Sequence, residues 1–177
     1  MAASRAISTL STGDEAPRIV NVVIEIPRGS ATKYEYDERL DALRIDGENR
    51  STLPFPADYG FIPRARSEDG DLLDIFVLGG GRTAPGTVIR ARPIGVLDMA
   101  DHAGRDRKII GVAVGSGPLR AVTEIGDLVA VMRDEIDEFL RAYKRQNNQC
   151  LTLHGWQGRA EAHATIDLAR ARYERPG

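Results

Sequence analysis

The sequence has little cysteine, no long apolar run and almost balanced charge. Cys150 is the only cysteine among 177 residues, so an internal disulfide and a cysteine-based zinc cluster are excluded. No stretch approaches the roughly 20 apolar residues of a membrane span. With 24 Lys and Arg against 26 Asp and Glu, the net charge of -2 gives no reason to expect a nucleic-acid or membrane surface. We therefore expect a cytoplasmic protein in which any charged site is local.

The composition predicts a single domain behind a short tail. A chain of 177 residues with 42% hydrophobic residues is long enough to bury a core. Residues 1–17 are small and rich in Ser and Thr and lack an apolar secretory segment, so we expect a flexible or loosely docked tail, with a transit peptide as the alternative. Residues 18–177 are then predicted to form the domain.

Extended segments are predicted first along the chain and helices last. Strands are expected at residues 19–26, KYEYD, ALRID, DIFVL, VIRARPIGVL and KIIGVAV. Residues 47–71 are predicted to be largely irregular, and DMADHAGRDR is predicted to be a polar loop. Helical spacing begins at Asp127, the expected N-cap, and recurs from Ala162 to Tyr173. This order predicts an α+β fold, an antiparallel barrel or sheet with two C-terminal helices packed outside.

Two acidic segments carry the strongest chemical signal. They contribute Asp69, Asp71 and Asp74, and then Asp101 and Asp106. Like charges this close repel one another unless a turn, water or a bound cation offsets them. Hard divalent cations such as Mg²⁺ prefer oxygen ligands, so converging carboxylates predict a metal site. Either segment alone is also explained as a solvated turn, because Asp-Gly pairs are common in turns.

Basic and phenolic residues accompany the acidic segments. They are Lys33, Tyr59, Lys108, Tyr143 and Lys144. Each one alone is typical of an ordinary surface. Together with a metal-binding carboxylate cluster they supply the cations and donors that a polyphosphate anion needs. Neither a Walker loop nor a G-x-G-x-x-G motif is present, so nothing supports a glycine-rich nucleotide cradle.

Several motifs, in order, make the chain resemble the soluble, Mg²⁺-dependent family I inorganic pyrophosphatases. They are VVIEIP, KYEY, PADYGFIP, EDGDLLDIFVL, P-G-x-V-I-x-x-R-P-I-G-V-L, DMADHAGRDRK and a late YK. The resemblance runs from about Val22 to Tyr173, and E-D-G-D-x-x-D is its most specific motif. It implies a small closed, OB-like β-barrel flanked by helices, hydrolysis of diphosphate to two phosphates, and a homo-oligomer, which is a hexamer in bacterial forms.

The resemblance also implies a role for each matching residue. The implied metal ligands are Asp69, Asp74, Asp101 and Asp106, with Glu25 and Glu35 at the edge of the metal cluster. Asp71 matches the base for the attacking water, and Tyr59 matches the tyrosine near that nucleophile. The implied diphosphate-binding residues are Lys33, Lys108, Tyr143 and Lys144. The implied cofactor is Mg²⁺, with Mn²⁺ or another divalent cation as the alternative.

Three positions depart from the family pattern. Gly47 stands where the family has an arginine that contacts diphosphate, and Arg50, three residues later, is the candidate replacement. Phe55 stands in place of a tyrosine. His102 replaces an acidic residue after Asp101; a histidine in a polar loop is more often a plain surface residue, and the alternatives are weaker metal binding or an added ligand suited to Mn²⁺, Zn²⁺ or Co²⁺.

These departures leave a second function class open. The alternative is a catalytically weakened or substrate-shifted paralogue that binds a phosphate ligand or a partner protein. The retained aspartates favour the active enzyme, because clustered charge without a bound cation is costly and would be the first feature to erode.

Overall fold

The computed structural model of the chain describes residues 6–47, 52–101 and 104–175. Its strands are β1 (Val20–Ile26), β2 (Tyr34–Asp37), β3 (Ala42–Ile45), β4 (Asp58–Arg66), β5 (Leu72–Leu78), β6 (Val88–Asp101), β7 (Gly104–Ala113) and β8 (Thr152–Gly158). Its α-helices are α1 (Ala130–Gln146) and α2 (Arg159–Glu174), and short 3₁₀ turns lie at Ile7–Thr9 and Ile125–Asp127.

Five strands close into a barrel. They pair in the order β1, β4, β5, β7 and β6, and β6 pairs with β1 again to close the ring. β8 pairs with the outer part of β6, and β2 and β3 form a separate hairpin. The predicted α+β barrel with two C-terminal helices is therefore confirmed. Within the described residues, β5 and β7 run parallel, with Ile75 opposite Ile109, whereas the other barrel pairs are antiparallel as expected.

The buried side chains form two clusters on either face of the strands. Along β5, Ile75 and Val77 belong to one cluster, whereas Phe76 and Leu78 belong to the other. This alternation is what a strand produces when both of its faces are buried. Each helix covers one cluster. α2 buries Ala162, Ile166 and Ala169 in the first, and α1 buries Ile136, Phe139 and Leu140 in the second.

Helix α1 begins later than its sequence suggests. Asp127 was the expected N-cap, but the helix starts at Ala130 and Asp127 ends the preceding 3₁₀ turn. The Asp127 carboxylate accepts hydrogen bonds from the backbone N–H groups of Thr123 and Glu124, both at 2.9 Å, so it closes that turn instead.

Among the helices of the described residues, none has the length and the apolar composition that a membrane span requires.

One segment predicted to be irregular contains a strand. β4 lies inside residues 47–71, where Gly60 and Pro63 suggested a loop. Gly60 is needed because β1 approaches so closely that a Cβ atom there would lie 1.9 Å from the carbonyl oxygen of Val23. Pro63 and Arg64 lie in a bulge of β4, a position that tolerates proline. Both residues therefore fit the strand rather than end it.

The predicted polar loop DMADHAGRDR is also mostly strand. Its two arms continue the β6–β7 ladder, with Asp98 opposite Arg107 and Met99 opposite Asp106. Asp98 and Met99 are still buried at the start of this segment, and the backbone hydrogen bonds of the ladder continue through the polar residues that follow. Strand β8 was not predicted.

Residues 6–17 lie against the domain. The buried hydroxyl of Thr12 donates to the carbonyl oxygen of Pro63 at 2.8 Å. The backbone N–H and the hydroxyl of Ser8 both contact the Asp41 carboxylate. The mobility expected of residues 1–17 and the domain boundary at residue 18 stay predictions.

Candidate active site

A cavity of about 300 Å³ lies at the end of the barrel where β5 and β7 begin and β6 ends. It gathers the sequence-predicted site residues that fall in the described part of the chain. They are Glu25, Lys33, Glu35, Tyr59, Asp69, Asp71, Asp74, Asp101, Asp106, Lys108, Tyr143 and Lys144. The remaining candidates, Arg50 and His102, lie outside the described residues.

Strand pairing explains why residues so far apart in sequence meet here. Parallel neighbours begin at the same edge of a sheet, so Asp74 on β5 lies near Lys108 on β7. The antiparallel β6–β7 hairpin then adds Asp101 and Asp106 from its two arms. The two acidic segments therefore adjoin, as the sequence suggested.

Lys108 is the centre of a buried polar network. Its ammonium nitrogen lies 2.7 Å from Asp74 Oδ2, 3.0 Å from Asp106 Oδ2 and 3.1 Å from the Tyr59 hydroxyl. The Tyr59 hydroxyl in turn donates to Asp74 at 2.5 Å. Burial acts to lower the pKa of Lys108, but the charges of Asp106 and Asp74 outweigh it and hold that pKa well above its usual value. Lys108 is therefore a fixed positive charge.

Two carboxyl groups of the cavity, those of Asp71 and Asp106, lie in an environment that disfavours their charge. Burial, followed by the charges of Asp69 and Asp74, raises the pKa of Asp71. Burial also raises the pKa of Asp106, against the opposing effect of Lys108. Crowded and partly dehydrated carboxylates of this kind gain from any added cation.

Glu25 shows the same effect most strongly. Burial raises its pKa to about 8, with a further contribution from the charge of Asp74. The backbone N–H of Tyr36 donates to Glu25 Oε1 at 2.8 Å and acts in the opposite direction. Glu25 lies on the apolar strand β1 and is buried where that strand lines the cavity.

Two further lysines are held by carboxylates on other elements. Lys144, on the last turn of α1, lies 2.5 Å from Asp101 Oδ2. Lys33 lies 2.8 Å from Asp46 Oδ2. The sequence analysis did not single out Asp46, because only the β2–β3 pairing brings it to Lys33.

Aromatic rings form one wall of the cavity. Phe55 is 4% exposed, and its ring centroid lies 4.5 Å from that of Phe139, 5.5 Å from Tyr59 and 6.2 Å from Tyr143. Phe139 also lies on the buried face of α1, and nothing in the sequence indicated its place in the cavity wall. Phe55 therefore stands at the cavity, where the family pattern has a tyrosine hydroxyl.

Gly47 stands on an open surface beside the cavity. A Cβ atom at this position would meet no other atom within 4 Å. Within the part of the chain that the structure describes, no side chain closes over this position, which leaves room for a larger residue.

A sequence profile described as inorganic pyrophosphatase matches residues 22–174. The chain belongs to the inorganic pyrophosphatase family. The inorganic pyrophosphatase of Thermus thermophilus is 39% identical over 171 residues, covering 95% of this chain and 98% of that protein. The inorganic pyrophosphatase of Saccharolobus solfataricus is 41% identical over 163 residues, covering 90% and 95%.

Solved inorganic pyrophosphatases share the whole fold. The Thermus thermophilus crystal structure matches with a TM-score of 0.90 at 38% identity, covering 96% of this chain and 99% of that one. The Neisseria gonorrhoeae structure matches with a TM-score of 0.87 at 31% identity, covering 97% and 100%.

Membership of the inorganic pyrophosphatase family implies a divalent metal cofactor. Within the described residues, no three carboxylate, histidine or cysteine side chains are grouped as a ready-made metal site. Instead, Lys108 contacts Asp74 and Asp106, and Lys144 contacts Asp101. The donors are all carboxylate oxygens, which fits a hard divalent cation. Three candidate carboxylates, Asp74, Asp101 and Asp106, are thus in contact with ammonium groups.

Proposed function

We propose that this protein hydrolyses inorganic diphosphate to two phosphates in the cytoplasm, with Mg²⁺ as its ordinary cation. One observation carries the proposal: a single cavity holds acidic, ammonium and phenol groups that come from both acidic segments, the β2–β3 hairpin and α1. Cations and donors around one anion-sized space are what phosphoryl transfer requires. Family membership over residues 22–174 supports the same reaction.

The proposed cation ligands are the carboxylates of the two acidic segments. They are Asp69, Asp74, Asp101 and Asp106, with Glu25 and Glu35 at the edge. When bound, a divalent cation lowers the pKa of water and draws charge from phosphoryl oxygens. Mn²⁺ could replace Mg²⁺ at oxygen ligands of this kind.

Asp71 is the proposed general base. It takes the proton from the water whose oxygen attacks one phosphorus atom, while the bridging P–O bond breaks and the second phosphate leaves. The raised pKa of Asp71 favours this role, because a base works best when its pKa approaches the working pH. Tyr59, whose hydroxyl bonds Asp74 and Lys108, is the proposed residue that orients groups near that water.

Diphosphate binding is assigned to the basic and phenolic residues. They are Lys33, Lys108, Tyr143, Lys144 and Arg50, the last on sequence grounds alone. The ammonium charge of Lys108 is permanent at neutral pH, since nearby carboxylates hold its pKa high. The aromatic wall formed by Phe55 and Phe139 limits the access of bulk water on one side.

The proposal extends to a homohexamer on the family resemblance. One observation favours the alternative, a weakened or substrate-shifted paralogue that binds a phosphate ligand or a partner protein. Gly47 leaves an open position where a phosphate-binding arginine is expected.

The deciding experiment is phosphate release from diphosphate by the purified chain. We expect release with Mg²⁺, release at a different rate with Mn²⁺, and none after chelation with EDTA. No release with either cation would overturn the function and favour the binding paralogue. Light scattering on the same sample tests the hexamer, and a monomer at micromolar concentration would contradict it.

A further inference from the structure

We propose that Arg66 is a positioning residue for the acidic turn, defined as residues 67–71, which carries Asp69 and Asp71. This inference rests on the proposed function, because it assigns a task to a residue that supports the proposed base. Arg66 has no part in the motifs that identify the family. Its side chain does not reach the cavity; it acts through the turn.

The Arg66 guanidinium joins three separate elements. Arg66 is the last residue of β4, and its Nη1 donates to the carbonyl oxygen of Gly70 at 2.6 Å. Its two terminal nitrogens also bind both oxygens of Glu38, at 3.0 and 2.9 Å. The guanidinium carbon lies 5.3 Å from the ring centre of Tyr173 on α2. The turn, the β2–β3 hairpin and α2 are therefore linked through one planar group.

The acidic turn has a defined shape of its own. The backbone N–H of Ser67 donates to the carbonyl oxygen of Asp71 at 2.8 Å, which closes the turn. The backbone N–H of Asp71 donates to Asp69 Oδ1 at 3.0 Å. Gly70 adopts a positive φ of 97°, which other residues rarely reach, and this directs its carbonyl group to Arg66.

These internal bonds shape the turn but do not orient it against the barrel. The cavity partly encloses the Asp71 carboxyl, but as whole residues Asp69, Gly70 and Asp71 are exposed, so packing contributes little to the placement of their backbone. The charge-assisted bond from Arg66 to the Gly70 carbonyl ties the backbone between the two aspartates to the end of β4. A second link, from Arg172 to Glu68, is longer at 3.5 Å.

The contacts of Arg66 are expected to position the acidic turn more than they stabilise the fold. The Arg66 side chain is 29% exposed and that of Glu38 is 46% exposed, so solvent screening leaves the ion pair a small contribution to folding. Positioning has a far larger effect on rate, since a shift of about 1 Å in a reacting group can cost on the order of 100-fold. Groups that orient metal ligands have similar effects, about 10–100-fold in metal affinity or activity.

The test compares Arg66→Leu with Arg44→Leu. Arg44 makes an exposed ion pair with Asp37 at 3.0 Å on the same hairpin, so it controls for the loss of a surface charge. We expect Arg66→Leu to lower kcat about 10–100-fold and to weaken Mn²⁺ binding, measured by calorimetry without diphosphate. Arg44→Leu should leave both unchanged. Arg66→Lys should recover part of the loss, since it keeps one donor.

Glu38→Gln provides a second variant should Arg66→Leu fail to fold. It weakens the bidentate contact that holds the guanidinium, so it should lower kcat and Mn²⁺ affinity in the same direction by a smaller factor. In the double variant the two losses should not add. If Arg66→Leu and Glu38→Gln keep the wild-type kcat and Mn²⁺ affinity, the positioning role is overturned. A wild type without phosphate release would overturn the proposed function instead, and the Mn²⁺ comparison would still decide the role of Arg66.

Discussion

The ammonium nitrogen of Lys108 lies 2.7 Å from a carboxylate oxygen of Asp74, across the parallel pairing of β7 with β5. The same nitrogen lies 3.0 Å from Asp106. The Lys108 side chain is only 7% exposed, so this is a nearly buried charge with two partners. One lysine therefore offsets part of the repulsion between two carboxylates that come from the two acidic segments.

Lys108→Met should destabilise the protein most when divalent cations are absent. The substitution leaves Asp74 and Asp106 without their cationic partner, which should lower the free energy of unfolding by about 1–3 kcal/mol in EDTA. Added Mg²⁺ should reduce this difference, because binding to the native state alone stabilises it. Urea unfolding of both proteins in EDTA and in Mg²⁺ measures the effect. An equal loss in both conditions would argue against a cation at these carboxylates.

Asp71→Asn should lower turnover while leaving cation affinity nearly intact. The amide keeps the size of the side chain but cannot accept the proton from water, so kcat should fall by about 10²–10⁴-fold. Steady-state phosphate release gives kcat, and calorimetry with Mn²⁺ gives the affinity. Asp37→Asn on the β2–β3 hairpin is the matched control, because Asp37 lies outside the cavity lining. Undiminished turnover in Asp71→Asn would remove Asp71 from the role of base.

Gly47→Arg combined with Phe55→Tyr should raise kcat/KM for diphosphate. Position 47 opens to free space, and Phe55 lines the cavity, so the double change restores an arginine and a hydroxyl at the site. We expect a gain of about ten-fold to a hundred-fold, roughly 1.4 to 2.7 kcal/mol of transition-state stabilisation. Both single variants should be measured beside the double variant.

Arg50→Ala distinguishes the two explanations of an absent gain. If Arg50 already binds the phosphate, its removal should lower kcat/KM about as much as the arginine at position 47 was expected to raise it. If neither the double variant nor Arg50→Ala changes diphosphate hydrolysis, residues 47–55 do not bind diphosphate.

The ion pair between Asp98 and Arg105 should make stability depend on acid pH. The Arg105 guanidinium, 3.0 Å from Asp98 Oδ1, lowers the pKa of this buried carboxyl against the effect of burial. The pKa of Asp98 is therefore lower in the folded state than in the unfolded state. The ion pair stabilises the folded protein at pH values above the usual Asp pKa of about 3.9, and this stabilisation is lost as the pH falls through the lower folded-state pKa.

Asp98→Asn tests this pH dependence. Because Arg105 is partly exposed, we expect the variant to lose about 1 kcal/mol at neutral pH, and this difference from wild type should shrink at about pH 3 and below. Urea unfolding at both pH values measures it. A difference that stays constant would show that the Asp98 pKa is not lowered by folding.

The sequence by itself determined the local chemistry of this protein. The acidic motif around Asp69 and Asp74, with Lys108 and the late Tyr143-Lys144 pair, indicated the donors for a metal and a polyphosphate through residue type and spacing alone. The helical spacing from Ala162 to Tyr173 likewise predicted α2, and the fold confirms this helix. Such features are encoded by neighbouring residues, since helical periodicity and motif spacing act over a few positions.

Pairings between distant segments were decided by the tertiary structure. No local pattern indicated that β5 and β7 run parallel, yet this brings Lys108 to Asp74. The same holds for Asp46 beside Lys33 and for Arg66 beside Gly70. The physical reason is that a closed barrel fixes the partner and register of every strand at once, through burial of both faces and backbone hydrogen bonds. Local propensity acts on each segment alone and cannot choose among those arrangements.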